Sequence, residues 1–405
     1  MEEEIDRKKI EERAKGFLLI ILFANFIRFV QISIIDIGLP SFVLSIAGTL
    51  AAYGIVVGVF NLSQSIFQYP ISTLSDRKMG RKNMIVICII IYTIGTFLCY
   101  LAQDIIQLII FRAIQGIGAY SAIIQAMIAD NYRKEKEFGK GMALYSVSIT
   151  IGFFAGFIIG GYVSYYLGPR LIFLMAGILS IIALVIIFIL LKDPQKSLSK
   201  QIDDNMLQLK KSIKLSDIKI LLKENQFRFI ILINMFRWFL FFGVYPYIIW
   251  VIQVYYELDQ VQSTYILILI VLLYATFIVL GGSLTDRIGH KKTMVLGQII
   301  IISFGFLFFF ASGLVIFLIV AISVSIGFAM LEIAGNAYLS RILEEKHPDL
   351  KGTGFGFNNA LGYFFSALGP IFICSLGEIQ VFLPFFIVSF IILGSFLITL
   401  KFIKN

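Results

Sequence analysis

The chain has 405 residues, of which 59% are hydrophobic and only 15% are charged, and its formal net charge is +9. In a soluble domain about a quarter of the residues are charged, so this composition excludes an ordinary soluble protein. The basic residues are divided among separate loops, which argues against nucleic acid as a partner.

Apolar runs long enough to cross a bilayer occur throughout the chain, since a transmembrane helix needs about 20 residues. Twelve such runs lie near residues 17–40, 50–71, 84–102, 105–128, 141–165, 170–191, 227–252, 262–282, 294–311, 314–338, 353–376 and 379–402. Connections within each half are short, so successive helices must run antiparallel. The sequence therefore predicts an all-α membrane protein with 12 transmembrane helices.

The distribution of Lys and Arg predicts the orientation of these helices. With the N-terminus placed in the cytoplasm, nearly all of the 34 Lys and Arg residues fall in loops on the cytoplasmic side. Arg170 alone lies at the other face, where the loops are short and nearly uncharged. This asymmetry follows the positive-inside rule and predicts that both termini are cytoplasmic.

A Lys-rich polar segment, residues 192–226, separates two groups of six predicted helices. We expect cytoplasmic ends at 1–16 and 403–405, with six-helix bundles at 17–191 and 227–402. The segment itself has two interpretations that the sequence leaves open. It is a solvated linker with a short helix, or a basic amphipathic helix lying on the anionic inner leaflet.

The two bundles repeat each other in sequence. Three groups of residues recur at offsets of 210, 209 and 213: Leu74-x-Asp76-Arg77 with Leu284-x-Asp286-Arg287, "NFIRF" (25–29) with "NMFRW" (234–238), and Gly139, Gly141 and Gly156 with Gly352, Gly354 and Gly369. Parallel repeats of six helices predict a substrate site near mid-membrane, at the interface between the repeats.

The repeated charged loop resembles a known family signature. Residues 282–291 carry Gly282, Leu284, Asp286, Arg287, Gly289 and Lys291, in the pattern G-x-L-x-D-R-x-G-R-K of the major facilitator superfamily. The first copy departs at Ser72, which replaces the leading Gly, and has one extra residue between Asp76 and Gly80. The resemblance implies two pseudo-symmetric six-helix bundles.

Two further motifs resemble those of the drug:proton antiporters in this superfamily. "RAIQG" (112–116) is similar to their fourth-helix R-x-x-Q-G motif, and "GFFAGFIIGG" (152–161) is similar to their fifth-helix G-x-x-x-G-P-x-x-G-G motif, with Phe157 in place of Pro. Small residues also allow membrane helices to pack closely. We expect this packing role for Gly152, Gly156, Gly160, Gly161 and Gly369.

Five charged residues lie within predicted helices, away from their ends: Arg28, Asp36, Arg112, Arg237 and Glu332. Each is expensive to place in a membrane and so calls for a function. They fall on helices 1, 4, 7 and 10, which line the central cavity in the fold that the resemblance implies. The depth of each residue predicts two ion pairs, Asp36–Arg112 and Arg237–Glu332.

A buried carboxylate that exchanges an Arg partner for a proton can couple transport to a proton gradient. Asp36 and Glu332 are therefore the candidate coupling residues, with Arg112 and Arg237 as their partners. The alternative is that these pairs only fasten helices together.

Arg28 and Arg237 occupy equivalent positions, three residues after Asn25 and Asn234 respectively. Two guanidinium groups that converge would suit a carboxylate or phosphate, as in the organic-anion and organophosphate exchangers of the same superfamily. The surroundings of helix 7 favour a bulky apolar ligand instead, because Trp238 and Tyr245 belong to an aromatic cluster. Such rings also commonly face lipid or neighbouring helices.

The family resemblance further implies a conformational latch on the cytoplasmic side. Its candidate residues are Asp76, Arg77, Arg81 and Asp130 in the first half, with Asp286 and Arg287 in the second. Asp76 is also expected to meet the N-terminus of helix 11, since helix starts favour anions.

The function predicted from these features is secondary active transport by alternating access, as proton-coupled export of hydrophobic drug-like compounds. The alternative is an organic-anion, organophosphate or nutrient transporter that uses Arg28 and Arg237 as an anion clamp. We expect no enzymatic activity, cofactor or metal site. The expected partners are a small-molecule substrate, protons and the lipid bilayer, and we expect a monomer in a prokaryotic cell membrane.

Overall fold

The computed structural model describes residues 2–46, 48–75, 79–118, 120–131, 135–191, 215–309 and 313–403. The membrane helices are α1 (Glu2–Ser45), α2 (Leu50–Leu74), α3 (Arg81–Leu101), α4a (Ile105–Ile117), α4b (Ser121–Asn131), α5 (Glu135–Tyr166), α6 (Leu171–Leu190), α7 (Asn225–Trp250), α8 (Gln260–Ile288), α9 (His290–Phe309), α10 (Leu314–Lys346), α11 (Lys351–Ile379) and α12 (Leu383–Phe402). The described residues contain no strand. Ten helices in this part of the chain are long and apolar enough to cross a membrane.

These bounds confirm the all-α fold, and they differ from the predicted ones in two places. α1 begins at Glu2, so the predicted tail 1–16 is helical over nearly its whole length. The predicted fourth helix, 105–128, is broken between α4a and α4b. Gly118 ends α4a, and its Cα lies so close to the backbone of Tyr92 and Cys88 that a side chain there would clash.

A short linker helix, Leu215–Lys223, precedes α7. Leu221 is fully buried and the helix packs on α7 and α11, whereas Ile220 and Leu222 are exposed. Residues 192–214 of the predicted surface segment lie outside the described residues. Both the choice between linker and surface helix and the predicted division of the chain into bundles stay predictions.

The first compact unit comprises the described residues within 1–47, 66–203 and 259–264. Its centre is α1, which packs on α5 and α6, while α3 packs on α4a and α6. Close approach of α1 and α5 depends on glycine: a Cβ on Gly152 would lie 2.8 Å from the carbonyl oxygen of Phe26, and one on Gly160 would lie 2.6 Å from Cα of Ile34. A Cβ on Gly156 would overlap the carbonyl oxygen of Val30.

The second unit comprises the described residues within 48–65, 204–258 and 265–405. Its centre is α7, which packs on α10, α11 and α12. A Cβ on Gly369 of α11 would overlap the carbonyl oxygen of Phe239. Val30 and Phe239 are 209 residues apart (239 − 30), so the contacts of Gly156 and Gly369 are repeat-related. The predicted packing role of these glycines therefore has a geometric basis.

Two short segments are exchanged between the units. Residues 50–65 of α2, here called the α2 arm, belong to the second unit, where the hydroxyl of Tyr53 donates to the carbonyl oxygen of Pro246 at 3.2 Å. Residues 260–264 of α8, the α8 arm, belong to the first unit. There the hydroxyl of Thr264 donates to the carbonyl oxygen of Phe157 at 3.0 Å, and Gly161 packs directly on Thr264. The sequence repeat did not predict this exchange.

Candidate functional site

An ion pair joins α7 and α10 in the second unit. Nη1 of Arg237 lies 2.9 Å from Oε2 of Glu332, so the predicted Arg237–Glu332 pair is present. The two side chains differ in exposure, at 4% for Arg237 and 31% for Glu332. The carboxylate can therefore be reached from outside the packed core, whereas the guanidinium cannot.

Tyr274 of α8 is a third member of this site that sequence reasoning missed. Its hydroxyl donates to Oε2 of Glu332 at 2.5 Å, the same oxygen that accepts from Arg237. The Tyr274 ring packs on Phe241, with centroids 5.2 Å apart. A tyrosine within the apolar run 262–282 carries no charge, so the pattern of charges within the helices does not identify it, although its hydroxyl requires a partner when buried. We call Arg237, Tyr274 and Glu332 the Glu332 triad.

Aromatic rings contact two members of the Glu332 triad. Trp238 stacks on Phe242 with ring centroids 5.2 Å apart and planes 8° apart, and the guanidinium carbon of Arg237 lies 5.4 Å from the Trp238 ring centroid. Tyr245 stacks on Phe241 at 6.4 Å. These rings pack on each other and form an apolar wall that contacts Arg237 and Tyr274, the two partners of the partly exposed Glu332 carboxylate.

Asn25 and Asn234 form matching hydrogen bonds in the two units. Nδ2 of Asn25 in α1 donates to the hydroxyl of Ser148 in α5 at 2.8 Å. Nδ2 of Asn234 in α7 donates to Oδ1 of Asn358 in α11 at 2.9 Å. All four residues are at least nine-tenths buried. The geometry thus gives both asparagines a role in holding their own unit together.

Arg28 differs from its repeat partner Arg237. Its side chain is 3% exposed, and its Nε and Nη1 atoms have no hydrogen-bond partner among the described residues. Its guanidinium carbon lies 5.4 Å from the Phe29 ring centroid and 5.3 Å from that of Tyr120. The two predicted clamp residues are therefore in different states, because Arg237 is held by a carboxylate.

The R-x-x-Q spacing of α4a has a direct structural reason. Nη1 of Arg112, which is 4% exposed, donates to Oε1 of Gln115 at 2.6 Å, and Nε2 of Gln115 donates to the hydroxyl of Thr96 in α3 at 2.7 Å. Residues three apart face the same side of a helix, which permits the first bond. Arg112 and Gln115 therefore connect α4a to α3.

Asp36 is half-buried in α1. The predicted Asp36–Arg112 pair stays a prediction.

The predicted latch falls largely outside the described part of the chain. Asp76 and Arg77 lie outside the described residues, as does the side chain of Asp130. Arg81 is 6% exposed at the start of α3, and Asp286 and Arg287 are exposed near the end of α8. The latch therefore stays a prediction.

The charged loops contain a pair of lysine contacts that sequence reasoning missed. Nζ of Lys82 donates to the carbonyl oxygen of Phe188 in α6 at 2.9 Å, and Nζ of Lys291 donates to that of Leu400 in α12 at 2.8 Å. The two lysines are 209 residues apart (291 − 82). Each satisfies a carbonyl in the last turn of a helix, where intrahelical partners are missing.

The described residues hold no group of three or more His, Cys, Asp or Glu side chains with the geometry of a metal site. Cys88, Cys99 and Cys374 are buried free thiols.

The helical units, the repeat-related contacts and the polar groups within the helices define a multi-pass membrane transporter. The sequence profile of the Major Facilitator Superfamily matches residues 21–370 and 265–404. The chain belongs to this superfamily, whose members transport small molecules across membranes.

Sequence relatives support the same class. An uncharacterized transporter of Buchnera aphidicola subsp. Schizaphis graminum is 32% identical over 44% of this chain and 43% of its own length. The inner membrane transport protein YajR of Escherichia coli is 35% identical over 32% of this chain and 28% of its own. The quinolone resistance protein NorA of Staphylococcus aureus is 30% identical over 44% of this chain and 46% of its own length. The chain matches less than half the length of each of these relatives.

Solved structures share the fold over nearly the whole chain. A bacterial homologue of the human lysosomal transporter Spinster superposes with a TM-score of 0.81 at 16% identity, covering 97% of this chain and 98% of its own. The nucleoside transporter NupG superposes with a TM-score of 0.74 at 16% identity, covering 96% of this chain and 99% of its own. The D-xylose-proton symporter superposes with a TM-score of 0.75 at 15% identity, covering 96% of this chain and 98% of its own. At these identities the similarity concerns the fold alone.

Proposed function

We propose that the protein is a proton-coupled exporter of hydrophobic, drug-like compounds in a prokaryotic cell membrane, working by alternating access between its two units. The observation that carries this proposal is the Glu332 triad. One reachable carboxylate accepts hydrogen bonds from a buried arginine and a tyrosine, beside an aromatic wall. The 30% identity to a quinolone resistance protein supports the choice of cargo.

Because Arg237 is buried, protonation of Glu332 can be linked to a conformational change. When Glu332 takes up a proton, the 4%-exposed Arg237 loses its counter-charge. Removing one partner of a buried ion pair costs about 3–5 kcal/mol, because the remaining charge stays unsolvated. At about 1.4 kcal/mol per factor of ten, this equals roughly a hundredfold to several thousandfold in a conformational equilibrium. Protonation can therefore favour a different arrangement of α7, α8 and α10.

In the proposed cycle, Glu332 takes a proton from outside as substrate leaves. The units change conformation, and the proton is released inward when new substrate binds. Asp36 is the second candidate for this exchange, through its predicted pair with Arg112 in the first unit. The aromatic wall of Trp238 and Phe242 receives the apolar, π-rich part of the substrate.

A second candidate function, organic-anion transport, is favoured by the state of Arg28. A buried guanidinium with two unpartnered donor atoms is a suitable receptor for a carboxylate or phosphate group. The two-arginine clamp requires Arg237 to leave Glu332 first, so this candidate depends mainly on Arg28.

Transport in proteoliposomes with an imposed pH gradient distinguishes the two candidates. We expect a lipophilic aromatic cation to drive proton movement in the wild type, and Glu332→Gln to abolish it. Glu345→Gln, a change at a 57%-exposed carboxylate in the same helix, is the matched control and should retain it. If anion exchange persists in Glu332→Gln and is lost in Arg28→Gln, the exporter proposal is wrong and the anion transporter is supported.

A further inference from the structure

A groove of about 460 Å³ opens at the α8–α9 turn, beside the end of α12. It is lined by Ile288, Lys291, Lys292, Val295, Leu296 and Leu400. We call it the Lys291–Lys292 groove. It lies outside the Glu332 triad, and none of the transport steps above uses it.

The groove combines two basic groups with an apolar wall. Leu296 and Leu400 are 41% and 44% exposed, so the wall is open to its surroundings. In a chain that spans a membrane, such exposed leucines lie against acyl chains. The lysines lie at the end of this wall, where the membrane helices α8 and α9 meet.

The two lysines are in different states. Lys291 is fixed, because its Nζ donates to the carbonyl oxygen of Leu400 at 2.8 Å, which uses one of its three donors. Lys292 is exposed and forms no ion pair within the described residues. Arg287 and Lys401 are basic neighbours in the sequence, against the single acidic neighbour Asp286. The groove therefore presents an excess of positive charge.

The pair of adjacent lysines is present in the second unit but not at the corresponding positions of the first. Lys82 matches Lys291 and also donates to a helix-end carbonyl, but the residue that follows it is Asn83 instead of a second lysine. Capping of a helix end therefore explains the first lysine of each loop. It does not explain Lys292.

We propose that the Lys291–Lys292 groove binds an anionic glycerophospholipid. The phosphate headgroup contacts the ammonium groups of Lys291 and Lys292, and one acyl chain lies along Val295, Leu296 and Leu400. The positive-inside distribution of the loops predicts that this groove lies at the inner leaflet, which is rich in anionic lipid and attracts basic residues near its surface. This proposal does not depend on the cargo or on proton coupling.

Native mass spectrometry of the full chain tests the proposal with phosphatidylglycerol and phosphatidylcholine as probes. We expect the wild type to retain phosphatidylglycerol in preference, and Lys292→Gln to lower that retention about fivefold, as for one basic residue near an anionic surface. The matched control is Arg228→Gln, which removes the same charge from an exposed position in the first turn of α7. It should leave retention unchanged.

A second variant distinguishes lipid binding in the groove from a non-specific attraction between the lysines and anionic lipids. Leu296→Trp fills the groove while keeping every charge, and it should also lower retention. Millimolar inorganic phosphate should not displace the lipid, since the apolar wall adds to its binding. Four results would each overturn the proposal. They are equal retention of the two lipids, equal effects of Lys292→Gln and Arg228→Gln, wild-type retention in Leu296→Trp, and displacement of the lipid by inorganic phosphate. Thermal unfolding curves verify that each variant is folded.

Discussion

The α2 arm provides a sharp test of the proposed conformational cycle, through Gly58→Ala. Gly58 lies against α11 in the second unit, where an added Cβ would be 2.6 Å from the carbonyl oxygen of Ala367 and 2.7 Å from Cγ1 of Ile371. A backbone oxygen cannot rotate away, so the arm and α11 must separate. Inserting a methyl group into such packing costs about 1–3 kcal/mol.

That penalty applies only while the arm is packed on the second unit. Residues 66–74 of α2 belong to the first unit. In the proposed alternating-access cycle, the arm therefore leaves α11 when α2 moves with that unit. A penalty of about 1–3 kcal/mol raises the population of the released state about 5- to 150-fold, at about 1.4 kcal/mol per factor of ten.

Chemical labelling of Cys374 can detect the separation of the α2 arm from α11. It is fully buried, and its Cβ lies 2.7 Å from the position a Cβ on Gly54 of the α2 arm would take. In a Cys88→Ala, Cys99→Ala background, the rate of maleimide labelling at Cys374 measures how often the arm leaves. We expect Gly58→Ala to raise the rate about 5- to 150-fold.

The matched control is Gly394→Ala in α12, because a Cβ on Gly394 would meet no atom within 4 Å. It should label at the wild-type rate. If Gly58→Ala and Gly394→Ala label equally slowly, the arm does not leave α11 and the reasoning is refuted.

Three further predictions concern the polar contacts. Tyr274→Phe removes a donor to the Glu332 carboxylate but keeps the ring contact with Phe241. Substrate-driven proton movement in proteoliposomes should therefore fall about 2- to 10-fold, and wild-type proton movement would exclude Tyr274 from the coupling site. Gln115→Ala leaves the buried Arg112 and Thr96 without their shared partner, and should lower the free energy of unfolding by about 1–3 kcal/mol in detergent; wild-type stability would contradict this role. The hydrogen bond from Lys346 holds the pKa of Glu224 below its ordinary value of 4.5, so this stabilisation is present above that pH and is lost as the pH falls further. Lys346→Gln should therefore lower stability at pH 7 by about 0.5 kcal/mol and have a smaller effect at about pH 3, as thermal unfolding at the two pH values would show.

Helix positions could be predicted closely because apolar run length directly reflects the membrane. Charges placed inside such runs located Arg237 and Glu332 and predicted that they pair, since a charge in a membrane helix calls for a partner. Tyr274 could not be found in this way, because it is uncharged and reaches Glu332 only through the packing of α8 beside α10. A search for hydroxyl groups within apolar runs would have named it.

The repeat predicted equal positions for Arg28 and Arg237, but it did not predict their unequal states. The difference could have been read from helix 4, where the positions corresponding to Glu332 (about 119–123, "AYSAI") carry no acidic residue. Arg28 therefore has no counterpart of the Glu332 carboxylate. The exchange of the α2 and α8 arms depends on tertiary packing at Gly58 and Gly161, which the sequence pattern alone does not locate.

Substrate-induced proton release by the purified protein tests the coupling role of Glu332 most directly. In weakly buffered detergent solution with a pH indicator, adding a lipophilic aromatic cation to the wild type should release protons. Glu332→Gln should release none, and Glu345→Gln should match the wild type. Wild-type proton release by Glu332→Gln, with intact substrate binding, would contradict the account.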